Sequence, residues 1–140
     1  MRLAPALALA APLLLAGCNM EWQRVHTLAC RADEQLLARD VLYFGASIPG
    51  GGEVSPEAWL QFESDALTPA FPNGYTILPA HGLWRGADGD TAAETSRVVV
   101  VIHADTAVAA ATLRDVVARY RDRFHQQSVL HEHSVVCARF

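Results

Sequence analysis

A chain of 140 residues, about half of them apolar and under a fifth charged, is sized for one packed domain behind a targeting segment and is not a disordered tail. Its net charge of −4 offers no electrostatic footprint for nucleic acid, and none is expected as a partner. All 11 basic residues are arginine, so a single arginine carries little weight as a functional signal.

The first 17 residues, MRLAPALALAAPLLLAG, combine one positive charge at Arg2 with an alanine- and leucine-rich stretch and a small-residue exit. That is the pattern of an export signal; the stretch is short for a membrane span, and Pro5 and Pro12 weaken it as a helix. Leu15-Ala16-Gly17-Cys18 is similar to a bacterial lipobox, in which the thiol receives a lipid and becomes the new N-terminus. Cys18 is therefore expected to be lipidated, attaching the protein to a membrane, with ordinary secretory cleavage as the alternative. By analogy with lipoproteins, Asn19 after the cysteine favours the periplasmic face of an outer membrane; a soluble periplasmic or secreted protein is the alternative. Lipidation would leave Cys30 and Cys137, which an oxidising compartment is expected to pair; two separate buried thiols are the alternative.

Residues 18–39 lack a clean period and read as a tether, with one helical turn around Glu34–Ala38. The folded domain is expected from Asp40 to Phe140. VLYFGASI (41–48) predicts a strand stopped by PGGG. Ser55 as N-cap, Pro56 and Glu57 open a helix whose apolar face carries Trp59, Phe62, Ala66 and Ala70. YTILPAHGLW (75–84) predicts an edge strand interrupted by Pro79, and RGADGDTAAETS (85–96) a long polar hairpin loop. RVVVVIHA (97–104) is the strongest strand signal. A second helix follows, with Leu113, Val116, Val117, Tyr120 and Phe124 at helical spacing, and SVLHEHSVVCARF (128–140) predicts the last strand.

The order βαββαβ predicts an α+β, ferredoxin-like sandwich: one four-stranded antiparallel sheet with two helices on one face. VVVVI and VLYF are apolar in both phases of the strand period, so the second sheet face is expected to be covered. A homodimer is the preferred cover, with the tether or a ligand as alternatives.

His131 and His133 share one face of the predicted last strand, and such a pair can ligate zinc or copper if further ligands join it. Exposed histidines on an edge strand are the simpler reading, and neither a metal nor another cofactor is expected. No nucleophile elbow, HExxH or CxxC is present.

From Tyr43 to Val129 the chain resembles a family of bacterial exported proteins, domain-of-unknown-function family 3574. The resemblance rests on LYFG (42–45), Trp59-x-x-Phe62 followed by TPAFPNGYT, GLWR (82–85), ETSRVVVVIH (94–103) and RFHQQSVL (123–130). It implies fold and export, and brings no reaction. Within those motifs Tyr43, Trp84, Arg85, Glu94, Ser96, Gln127 and Ser128 are residue types that core packing does not demand, which marks them as a candidate ligand site, with turn chemistry and hydrogen-bond satisfaction as the simpler reading. Arg85 and Glu94 flank one hairpin and are expected to be able to pair. The functional expectation is a non-catalytic envelope lipoprotein that binds a protein or small ligand. The alternative is an enzyme with a pocket between sheet and helices near Tyr43, Arg85 and Glu94.

Overall fold

The computed structural model describes residues 29–85, 89 and 91–140. The expected signal segment, the lipidation at Cys18 and most of the tether lie outside the described residues. Four strands form the sheet: β1 (Gln35–Gly45), β2 (Thr76–Arg85), β3 (Thr91–His103) and β4 (Leu130–Ala138). Their order is β2-β3-β1-β4 with every pairing antiparallel, the ferredoxin-like arrangement that the element order predicts. Among the described residues no helix is long and apolar enough to cross a membrane.

Between β1 and β2 the chain forms α1 (Pro56–Phe62), a π-helical turn (Glu63–Leu67) and α2 (Thr68–Ala70) without a break. The Ser55 hydroxyl accepts from the Ala58 amide at 3.1 Å and starts the helix as expected. Pro69 accounts for the widened turn. It has no N–H for the Asp65 carbonyl and its ring crowds that oxygen, so the preceding Thr68 amide reaches back five residues to Glu63 O. Helix α3 (Ala107–Phe124) starts at Thr106 and ends with His125 in the left-handed conformation.

The helical layer packs on the sheet face carrying Leu42, Phe44, Val99 and Val101. Phe44 is the hub, with ring centroids 5.6 Å from Trp59, 5.8 Å from Phe62 and 4.7 Å from Tyr120. On the opposite face Val41 and Val98 are buried, whereas Leu78 and Leu130, on the edge strands, are 50% and 46% exposed. A disulfide joins Cys30 to Cys137, with Cα atoms 5.3 Å apart, and ties the segment before β1 to the end of β4.

Three sequence expectations are corrected. The helical turn at Glu34–Ala38 is instead the start of β1, held by β4 from Gln35 and by β3 from Ala38; the domain therefore begins before Asp40. Pro79 does not interrupt β2, because an edge strand needs backbone partners on one side only. Most of the expected hairpin loop is strand, since Thr91–Ser96 pairs with Ala80–Arg85.

Candidate functional site

A cavity of about 470 Å³ opens where β1 hands over to the glycine turn, and it gathers six of the seven residues expected to form a ligand site. Tyr43 comes from β1, Trp84 from β2, Glu94 and Ser96 from β3, and Gln127 and Ser128 from the segment between α3 and β4. Strand alternation explains the convergence. Leu42 and Phe44 face the helices, so Tyr43 and Gly45 face away from them; Val98 and Ser96, opposite these two on β3, share that face, and Glu94 follows by the same period. The site thus lies on the sheet face away from the helices, which corrects the expectation of a pocket between sheet and helices.

Glu94 is the fixed centre of this cavity. Its Oε1 accepts from the Ser47 amide at 3.1 Å, and its carboxylate lies against Gly45, where a Cβ would overlap it. The backbone beneath is held in turn. Tyr120 donates from its hydroxyl to Gly45 O at 2.8 Å, and Gln126 donates from Nε2 to Ser47 O at 2.6 Å. Burial pushes the Tyr120 hydroxyl far above its ordinary value, so it remains a donor at any physiological pH. Tyr43 donates to Glu132 Oε1 at 2.9 Å, and that bond raises its own titration, so the hydroxyl is occupied while the ring lines the cavity.

Arg85 is the exception among the seven. It follows Trp84 directly on β2, so its side chain points to the other sheet face, and it pairs in register with Thr91. The expected Arg85–Glu94 pair is not formed: the strand partner of Glu94 is Gly82, and its carboxylate is engaged at Ser47.

The histidines converge on a residue that the sequence marks only as a domain boundary. Asp40 is fully buried in β1, on the helix-facing side. Its Oδ1 accepts from His131 Nε2 at 2.5 Å and from His133 Nδ1 at 3.0 Å, and its Oδ2 accepts from His103 Nε2 at 2.7 Å. His133 stands directly opposite Asp40, whereas His131 and His103 are diagonal neighbours across β4 and β3. Among the described residues no group of histidine, cysteine, aspartate or glutamate side chains is arranged to hold a metal ion. The two β4 histidines are exposed on an edge strand, as expected, and they also hydrogen-bond a buried carboxylate of the neighbouring strand.

This cluster sets an expected pH dependence. Burial alone would raise the Asp40 carboxyl, but the bonds from His131, His133 and His103 outweigh it and hold the group below its ordinary 3.8. The bond to Asp40, with its charge, raises His133 above 6.5. The Asp40 contribution is present above the ordinary carboxyl value and is lost as pH falls through the lowered one. The His133 contribution is full below 6.5 and is lost as pH rises through the raised value. Thermal melts should therefore give a higher Tm near pH ~5.5 than near pH ~8.5, and His133→Asn should flatten that difference. Equal slopes in both proteins would remove His133 as its source.

The model of a family of proteins of unknown function (DUF3574) matches residues 39–140, and the chain belongs to that family. No curated protein matches it. Among solved structures it is similar to a phage SAM lyase in complex with S-methyl-5'-thioadenosine, at a TM-score of 0.58 and 11% identity, over 81% of this chain and 95% of that one. A phage SAM lyase in the apo state gives 0.54 and 15% identity, over 81% and 97% of the two chains. At these identities the likeness is one of fold.

Proposed function

We propose that this DUF3574 domain is a small-molecule-binding module of the bacterial envelope, taking a nucleoside-sized ligand in the cavity beside Glu94. One observation carries the reading: four separate segments deliver aromatic and polar side chains that the core does not need to a single cavity. Its volume falls in the range of small-ligand sites, and its mixture of rings with a few polar groups suits such a ligand. The expected lipid anchor at Cys18 would hold the module at the membrane. Pairing of two copies across the open face belongs to the same proposal, since it would cover Leu78 and Leu130 and close the cavity.

The phage SAM lyase seen with S-methyl-5'-thioadenosine shares the fold, and that compound is the natural first ligand to test. Calorimetric titration should give saturable binding, and Trp84→Ala should weaken it by about ten-fold or more, the scale of a lost base–aromatic stack. Binding unaltered by Trp84→Ala would place the ligand elsewhere. The enzyme reading uses the same cavity, because Glu94 is a carboxylate held in place and able to move a proton. Release of S-methyl-5'-thioadenosine from SAM in the presence of the protein would favour that reading over simple binding.

A further inference from the structure

We infer that the ligand of this cavity is a cation, carrying an ammonium or sulfonium group against the Glu94 carboxylate. The inference rests on the proposed binding site and adds the charge of what it takes. Glu94 is not a solvated surface acid: the Ser47 amide fixes Oε1, and the missing Cβ at Gly45 makes the space in which the carboxylate lies. Replacing Gly45 with any other residue would push the carboxylate out.

Among the described residues the cavity lining supplies no fixed positive charge. Among the described residues no arginine lines the cavity, and the chain contains no lysine. Arg85 points to the other sheet face, and Arg97 sits over the Trp59 ring at 4.8 Å within the helical layer. His81 is the one histidine among the described lining residues. Glu132, bonded to the Tyr43 hydroxyl behind the ring, adds a second carboxylate on the same sheet face. Tyr43 and Trp84 complete the set, since aromatic rings beside a carboxylate attract ammonium and sulfonium groups. A phosphate or carboxylate ligand would meet like charge with nothing fixed to offset it.

The test is a matched pair of ligands. S-methyl-5'-thioadenosine and its S-methylated sulfonium differ by one methyl group and one positive charge. Titrated into the protein at low salt, the sulfonium should bind at least ten-fold more tightly than the thioether. In Glu94→Gln the two should fall within about two-fold of each other, and Gly45→Ala, which displaces the carboxylate without removing it, should act in the same direction. Circular dichroism would establish that both variants are folded. Equal affinities in the wild-type protein would overturn the charge inference and leave the binding site standing. Failure of both ligands to bind at millimolar concentration would overturn the binding reading and this inference with it.

Discussion

Removal of the Cys30–Cys137 bridge should lower the stability of the domain by about 2–5 kcal/mol. The bridged cysteines are separated by 107 residues, which encloses nearly the whole folded region. In the chain-entropy account a loop of that length restrains the unfolded chain by about 4–5 kcal/mol. The native contacts near the bridge do not replace it. It joins a short segment before β1 to the end of β4, and Arg139 pairs with Asp33 nearby on the surface, where an ion pair contributes little. Denaturant unfolding of Cys30→Ser/Cys137→Ser against the oxidised wild type measures the loss directly. A difference under ~0.5 kcal/mol would mean that the reduced, unfolded chain is already constrained.

The second large effect is expected at the buried carboxylate. His131→Ala/His133→Ala takes away two of the three groups that neutralise Asp40, leaving only His103 beside a fully buried charge. Loss of the partners of a buried ion is destabilising, and the effect is moderated here because both imidazoles are partly exposed and water enters where they stood. The sharper expectation is one of sign. Adding Asp40→Ala to that double variant should not destabilise it further, because the substitution removes the charge whose burial had become costly. Chemical denaturation of the single, double and triple variants closes the cycle. A triple variant several kcal/mol less stable than the double would show that Asp40 contributes through packing or through His103 alone.

Much of this fold was legible because β-branched and aromatic runs mark strands and because the Ser55-Pro56 start marks a helix. What escaped was structure imposed from outside a segment. QLLARD mixes charge with leucine and alanine, and it becomes a strand because β4 pairs with it from Gln35 and β3 from Ala38. TAAETS is made of small and polar residues, yet ten register pairs with β2 hold the hairpin.

The candidate site divides in the same way. Tyr43, Trp84, Glu94, Ser96, Gln127 and Ser128 stood out because their chemistry exceeds what packing demands. Gly45, Ser47 and Gln126 did not, because their parts are played by a missing Cβ, an amide N–H and a bond to a backbone carbonyl. Arg85 and Asp40 were readable after all. Period-two alternation from Trp84 puts Arg85 on the wrong face, and the same count from Leu42 and Phe44 puts Asp40 on the helix-facing side.

The bridge also decides how the domain carries load. Tension applied between Ala29 and Phe140 would pass from Cys30 to Cys137 through covalent bonds, and the sheet between them would feel none of it. Once reduced, the same pull would fall on the Gln35–Ala138 end of the β1–β4 ladder and open it one residue pair at a time, the weakest geometry for a sheet. The thiol state of two residues thus sets whether the domain is a rigid link or a yielding one.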